Sequence, residues 1–291
     1  MTRSGFVAVV GRPNVGKSTL VNSLVGTKVA ITSSRPQTTR NTVRGVLTRG
    51  DAQLVFVDTP GLHKPRTALG ERLNRLVHGT LAETDGALFV LDASQRIGPG
   101  DRLVAERLAA SSAPVVVAVN KVDKATREQV VEQLAEAAEW DFAGYVPVSA
   151  LHGEGLEPIL SEFLDLVPEG PFFFPPDVTS DQADEQLAAE LIREKFLERL
   201  RDELPHSLAV VVDEIETRQS GLVYVGASIF VEKTSHKGMV IGKGGALLRA
   251  VGTEAREELE RLFGAQVFVE LRVKVEADWQ RRDHALDRLG Y

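Results

Sequence analysis

The sequence predicts an α/β domain with a mainly parallel sheet, followed by a smaller α+β domain. Three observations lead there. The chain has 291 residues, too many for one average domain and comfortable for two. From Phe6 to about Val167, short apolar runs alternate with stretches of helical spacing. Pro168, Gly170, Pro171, Pro175 and Pro176 then fall in one stretch that cannot form a helix. The expected division is residues 1–167, a linker at 168–180, and a second domain at 181–291.

In the first domain the runs at 6–10 (FVAVV), 53–58 (QLVFVD), 86–92 (GALFVLD), 114–120 (PVVVAVN) and 145–149 (YVPVS) are rich in β-branched residues. They lack polar alternation, as strands buried on both faces do. Residues 17–25, 70–83, 102–110 and 127–139 have helical spacing between them. This alternation implies a parallel sheet with right-handed crossovers, whose ligands bind at the carboxyl ends of the strands. In the linker, Phe172, Phe173 and Phe174 are too apolar for a free tether and should dock on a domain. A helix should begin at Asp181, with an acidic first turn that suits the helix dipole. Strand-like runs at 207–217 and 222–233 follow, then a glycine loop at 241–245, a helix at 246–263 and a strand at 266–275. No internal repeat is visible.

Composition narrows the chemistry. The absence of cysteine excludes disulfides, thiolate zinc sites and cysteine nucleophiles. Six scattered histidines without an HExxH pattern make a histidine-based zinc site improbable. The longest apolar runs, such as 115–119, fall far short of the roughly 18 residues of a membrane span. The apolar stretch at 6–10 runs straight into a glycine loop and reads as a strand, not a signal peptide, so a cytoplasmic protein is expected. A net charge of −7 argues against a surface coated with nucleic acid. Locally the sign reverses: the first acidic residue is Asp51, after eight arginines and lysines. An anionic ligand would be drawn to such a segment.

Gly11, Arg12, Pro13, Asn14, Val15, Gly16, Lys17 and Ser18 match G-x-x-x-x-G-K-[ST], between a predicted strand and a predicted helix opening at Lys17 and continuing through Thr19. This is a P-loop. Its glycines let backbone N–H groups converge on a phosphate, and the helix N-terminus adds a positive dipole. Lys17 is placed to bridge β- and γ-phosphates, and the Ser18 hydroxyl to ligate Mg²⁺. Asp58, Thr59, Pro60 and Gly61 follow at the end of a strand. The Asp58 carboxylate can reach Mg²⁺ through a water, and Gly61 can offer its N–H to a γ-phosphate. The polar segment at 26–45, with Pro36, Gln37, Thr38 and Thr39, suits a switch that orders around γ-phosphate and metal. Thr39 is the candidate second Mg²⁺ ligand, with Thr38 the near alternative.

Asn120, Lys121, Val122 and Asp123 identify the base as guanine. An ionised carboxylate only accepts hydrogen bonds, so Asp123 can pair with the N1–H and N2–H₂ donors of guanine and rejects the N1 acceptor of adenine. Lys121 would cover the base plane, and Asn120 would tie this loop to the phosphate loop. Ser149, Ala150 and Leu151 would bring the Ala150 N–H to guanine O6. The nucleotide is GTP, with GDP as product. Ras-like enzymes carry a water-positioning glutamine after D-x-x-G, whereas this chain has Leu62, which can neither accept a proton nor orient a water. Asn14 is the candidate ligand for a K⁺ ion that supplies charge to the transition state. The expected catalytic set is Lys17, Thr39, Gly61 and Asn14.

In the second domain, Ile241, Gly242, Lys243, Gly244 and Gly245 form a G-x-x-G loop in a helix–strand–strand–helix–helix–strand order. This reads as a type II KH domain, whose loop clamps single-stranded RNA. Residues 181–291 carry 16 lysines and arginines against 21 acidic residues, yet none of the acidic ones lies between Lys233 and Gly252. Lys237, Lys243 and Arg249 make a narrow basic stripe there, suited to one strand of RNA.

The motifs GRPNVGKS, QTTRN, DTPG, NKVD and SAL, with VIGKGG in the second domain, resemble those of the Era family of bacterial GTPases. The resemblance covers essentially the whole chain, including the tail ALDRLGY, and no family motif is broken. It implies a P-loop GTPase domain joined to a KH domain. It also implies an Mg²⁺-dependent GTPase that binds the 3′ end of 16S ribosomal RNA and assists 30S subunit assembly and rRNA maturation. A monomer is expected, and the resemblance alone implies loose association with the inner face of the cell membrane. Two other readings stay open: an RNA-binding scaffold with a largely structural nucleotide site, and a related GTPase acting on tRNA, another RNA or a protein.

Overall fold

The computed structural model describes every residue except Ser34, Pro36, His63, Lys64, Arg66, Asp202 and Glu203, so the expected switch proline at 36 lies outside the described residues. Met1–Pro65 with Gly70–Asp181 form one compact unit, and residues 182–291 form the bulk of a second.

The first unit is a six-stranded sheet in the order β2-β3-β1-β4-β5-β6. Its strands are β1 (Arg3–Val10), β2 (Val43–Arg49), β3 (Ala52–Asp58), β4 (Gly86–Asp92), β5 (Val115–Asn120) and β6 (Gly144–Val148). The helices are α1 (Lys17–Val25), α2 (Ala68–Ala82), α3 (Pro99–Ala109), α4 (Arg127–Ala138) and α5 (Leu156–Leu166). All neighbouring strands are parallel except β2 and β3. Alternate residues of the strands feed two apolar layers. Val7, Val9, Phe56, Leu88 and Val116 face Leu20, Leu24, Ile159 and Phe163, whereas Ala8, Val10, Phe89 and Val117 face Val77, Val104, Leu108 and Ala137. Strands covered on both sides need apolar residues at every position, which is why β1, β3, β4 and β5 were readable as unbroken runs; β6, at the other edge with Pro147 exposed, was readable because its short run at 145–148 carries no charge. Sequence reasoning missed β2. It is an edge strand, and Arg44, Thr48 and Arg49 interrupt its apolar pattern.

The linker lies on this first unit. Its end pairs with the β2 edge, where Val46 N–H donates to Thr179 O at 2.8 Å and Gly45 bridges Ser180. Phe172 and Phe174 are half-buried, and the more exposed Phe173 sets its ring 4.6 Å from that of Phe6. Gln53 anchors the segment and is fully buried. Its Oε1 accepts from the N–H groups of Phe173 (2.9 Å) and Phe174 (3.0 Å), and its Nε2 donates to Phe174 O (2.9 Å) and Thr48 Oγ1 (2.9 Å). Gln53→Ala leaves those part-buried groups without partners, at a cost of up to about 1 kcal/mol each. Limited proteolysis should therefore cut the variant within 168–180 at least tenfold faster than the wild type.

The second unit contains α6 (Asp184–Arg199), β7 (Leu208–Thr217), β8 (Val223–Val231), α7 (Thr234–Ile241), α8 (Ala246–Phe263), β9 (Val267–Val275) and α9 (Asp283–Arg288). β7 is antiparallel and β9 parallel to β8. Helix α6 starts three residues later than expected. Asp181 stays outside it and pairs with Arg44 at 2.6 Å, while Asp184 and Glu185 supply the acidic first turn. Much of the domain's acidity is paired internally: Lys195 of α6 meets Glu258 of α8 at 2.9 Å, and Arg199 pairs with Glu254. Among the described residues, no helix is long and apolar enough to cross a membrane.

Candidate functional site

The phosphate loop spans the gap between β1 and α1. Gly11 (φ +151°) and Gly16 (φ +100°) take conformations that side chains rarely adopt. A Cβ at Gly11 would lie 2.5 Å from Val90 O, and one at Gly16 2.3 Å from Asn120 Nδ2. Backbone and base loop thus close in until only glycine fits. Lys17 Nζ donates to the carbonyl oxygens of Arg12 (3.0 Å) and Gly11 (3.3 Å). Burial lowers its pKa to about 8, with the Asp58 charge pulling the other way.

Three oxygens converge beside it. Ser18 Oγ donates to Asp58 Oδ2 at 2.6 Å and lies 3.0 Å from Thr39 Oγ1, which is itself 3.2 Å from the same Oδ2. Burial pushes the Asp58 pKa up, against the pull of Lys17 and of its hydroxyl partners. Asp58 Oδ1 is buried with no hydrogen-bond partner among the described residues. A hydroxyl–hydroxyl–carboxylate set with an unsatisfied carboxylate oxygen fits a hard divalent cation such as Mg²⁺. Thr38 points elsewhere, donating to Arg35 O at 2.6 Å.

Around this centre, Pro13, Asn14, Thr19, Thr32, Gln37 and Gly61 line the cleft. Gly61 packs so closely on Pro13 that a Cβ would come within 2.7 Å of the Pro13 nitrogen. Thr59 Oγ1 donates to Val9 O (2.7 Å), fixing the strand end through which Pro60 leads to Gly61. Leu62 is buried in the apolar layer with Val10 and Val77.

On the base side, Asn120 joins three segments. Its Nδ2 donates to Val15 O (2.9 Å), and its Oδ1 accepts the Ala150 N–H (3.0 Å). The Ala150 N–H is thus held in the same loop junction as Asn120, beside Asp123 and Ser149. Lys121 has φ +67°, and its Nζ donates to Asn14 O (2.5 Å) and Asp92 Oδ2 (2.6 Å). Val122 opens a single helical turn, placing Asp123 so that its Oδ1 accepts from Ser149 Oγ at 2.7 Å. That bond holds the Asp123 carboxyl below its ordinary range, acceptor-only at neutral pH. Leu151 is exposed at the rim.

Sequence reasoning missed two supports. Asp92, at the carboxyl end of β4, accepts from Ser94, Gln95 and Lys121. Burial pushes its pKa up, but these partners outweigh it and hold the carboxyl low. Ser23 Oγ donates to Ala150 O (2.6 Å), bracing the last loop from α1. The carboxylate ending GALFVLD was the available signal for the first, whereas nothing local marks Ser23.

In the second unit, Gly242 (φ +75°, ψ 170°), Gly244 (φ +60°) and Gly245 (φ +78°) shape the turn between α7 and α8. Lys243 is exposed at its tip, and Lys237 and Ile241 flank it on α7. The turn opens into a groove of about 430 Å³ lined by Gly245, Arg249, Thr253, Arg256, Phe268 and Leu271, among others. Arg256 and Phe268 were not anticipated, because α8 and β9 meet only in the fold.

Comparison with known proteins agrees with both halves. Residues 6–121 match a family model described as a 50S ribosome-binding GTPase, and residues 203–280 match a KH domain model. GTPase Era of Mycobacterium avium is 51% identical over 99% of both chains, and that of Mycobacterium sp. strain KMS 52% over the same share. A crystal structure of Era with MgGDPNP and nucleotides 1506–1542 of 16S ribosomal RNA matches with TM-score 0.96 and 37% identity, covering 100% of this chain and 99% of that one. An Aquifex aeolicus Era variant bound to GDP·AlF₄⁻ matches with the same values. The chain belongs to the Era family of GTPases.

Proposed function

We propose that this GTPase uses its nucleotide state to control how the KH domain binds the 3′ end of 16S ribosomal RNA, assisting 30S subunit assembly and rRNA maturation. The observation that carries the reading is the full-length likeness, at 37% identity, to an Era that holds MgGDPNP and 16S nucleotides together. The 50S of the matched model describes a family aligned with residues 6–121 alone, so the small-subunit RNA guides the proposal. The switch reading has further support in the chain. Strand β2 leaves Thr39 after three residues, its first residue pairs with Asp58, and the linker lies along its edge.

In this reading Ser18, Thr39 and Asp58 hold Mg²⁺, which when bound neutralises charge on the phosphate oxygens. Lys17 and the Gly61 N–H stabilise the charge that develops on the transferred phosphoryl group. Asp123 selects guanine, with Ser149 orienting it. Because Leu62 is buried in the core, it offers the attacking water nothing, and Asn14 would hold a K⁺ that could supply the missing transition-state charge. GTP hydrolysis should accordingly run faster in K⁺ than in Na⁺ buffer, and equal rates would remove Asn14 from the mechanism.

The RNA contacts proposed are Lys237, Ile241, Gly242, Lys243, Gly244, Gly245 and Arg249. Three cations predict a shallow salt dependence, with a slope of log K against log salt near −2 for a single strand. The test is fluorescence titration of an oligonucleotide from the 16S 3′ end against a scrambled one. The authentic sequence should bind at least about tenfold tighter, and Lys243→Ala should flatten the salt slope by about 0.7. Equal affinity for both oligonucleotides removes the 16S assignment. We place the protein in the cytoplasm as a monomer, and peripheral membrane attachment rests on family resemblance alone.

A further inference from the structure

We propose that Asp101, on α3 and outside the nucleotide motifs, is a positioning residue for GTP hydrolysis, holding the γ-phosphate half of the glycine loop through Arg12. This rests on the nucleotide roles given above.

Asp101 is a carboxylate buried to 1% exposure, and its two oxygens do different work. Oδ2 accepts the backbone N–H of Gly98 at 2.9 Å and so caps α3. A cap alone needs one oxygen. The other, Oδ1, accepts from Arg12 Nε at 2.7 Å. Helix α3 is also shaped to receive this arginine. A Cβ at Gly100 would lie 2.7 Å from Arg12 Cδ and 3.2 Å from Cγ, so the arginine stem lies flat on the first turn of α3. Gly100 and Asp101 together form a seat for one side chain of the phosphate loop.

That seat acts on one half of the loop. The half running into α1 is fixed independently, because Asn120 Nδ2 holds Val15 O and Gly16 closes against the same amide. The other half is Arg12–Pro13–Asn14, whose far end is tied by Lys121 Nζ, which donates to Asn14 O at 2.5 Å, so the seat governs its Arg12–Pro13 start. Pro13 is in close contact with Gly61, and Arg12 O accepts from Lys17 Nζ at 3.0 Å. Gly61, Asn14 and Lys17 are the groups assigned to the γ-phosphate and its transition-state charge. Loosening Arg12 therefore disturbs the γ-phosphate side while leaving the β-phosphate cradle in place. A misplacement on the order of 1 Å at such a site can lower a rate about 100-fold.

The test compares full-length wild type, Asp101→Asn and Arg12→Ala. Asparagine keeps the acceptor for Gly98 and removes the charge that grips Arg12, whereas Arg12→Ala leaves the cap untouched and covers the case in which Asp101→Asn folds poorly. Single-turnover GTP hydrolysis should fall about 10- to 100-fold in each variant. Affinity for fluorescent GDP should stay within about threefold of wild type, so that the loss falls on the hydrolysis rate. The double variant should be no slower than the slower single one, because both remove the same contact. Hydrolysis within twofold of wild type in Arg12→Ala overturns the proposal. So does a loss of GDP affinity parallel to the loss of rate, which makes the pair merely structural. A wild-type chain that binds neither nucleotide defeats the GTP-site reading itself, a result separate from any ratio between variant and wild type.

Discussion

Replacing Asp123 with asparagine should turn this protein from a guanine-nucleotide into a xanthine-nucleotide enzyme. Asp123 is an acceptor-only carboxylate, held low and oriented by the 2.7 Å bond from Ser149 Oγ. Guanine presents two donors to it, N1–H and N2–H₂. Asparagine opposes the amino donor with its own NH₂ group, leaving two donors facing each other and neither satisfied. Sites that pair a specific polar group reject the mismatched partner by about 10⁴-fold. Xanthine carries a carbonyl where guanine carries the amino group, so it accepts from the asparagine NH₂ while its N1–H still finds the Oδ1. The variant should hydrolyse XTP at a rate near that of wild type on GTP, with affinity for GTP lowered by about 10³- to 10⁴-fold. Competition between GTP and XTP for the folded variant checks this, and a variant that still prefers GTP contradicts the base-site assignment.

Gly242→Asp should abolish RNA binding while leaving GTP hydrolysis intact. With φ +75° and ψ 170°, Gly242 occupies a region essentially closed to other residues, where a side chain costs about 1–3 kcal/mol in strain. A Cβ there would also lie 2.9 Å from both the backbone nitrogen and the Cβ of Leu247, at the start of α8. Aspartate adds a negative charge where the sugar-phosphate backbone is to approach. RNA affinity should drop at least about 100-fold, and the GTPase rate should stay within twofold because the first unit carries its own core and site. Gly244→Asn provides the contrast. Gly244 has left-handed dihedrals (φ +60°, ψ 24°) and open space around it, so asparagine is accommodated and affinity should change by less than about tenfold. Circular dichroism on both variants separates a lost clamp from a lost fold.

What the sequence disclosed followed from how local the signals were. The four interior strands β1, β3, β4 and β5 and helix α1 were legible because burial on both faces, or a phosphate loop at the N-terminus, leaves its mark within ten residues. Edge strand β2 was illegible because a one-sided strand tolerates Arg44 and Arg49. The start of α6 was misplaced because an acidic run at 181–185 reads the same whether its first member caps a helix or, as Asp181 does, pairs with Arg44. At the site, motif spacing identified Ser18, Thr39 and Asp58, but only the fold places their oxygens within 2.6–3.2 Å of one another. The motif marked Ala150 as a base-site residue but not its bond to Asn120, which lies 30 residues away. The net charge of −7 misled for a related reason. The total sums the whole surface, whereas residues 233–252 hold no acidic residue, so it says little about the stripe at Lys237, Lys243 and Arg249.

Communication between the nucleotide site and the KH domain is what makes this protein a switch. The decisive measurement is the affinity of the full-length protein for the 16S 3′-end oligonucleotide with a non-hydrolysable GTP analogue, with GDP and without nucleotide, at one fixed salt concentration. Coupling free energies of about 1–3 kcal/mol are typical of linked sites, so the GTP analogue should tighten RNA binding about 5- to 150-fold over GDP. By reciprocity, RNA should raise affinity for the analogue by the same factor. Identical RNA affinity in all three states would contradict the switch and leave an RNA-binding scaffold that hydrolyses GTP to no purpose on the RNA.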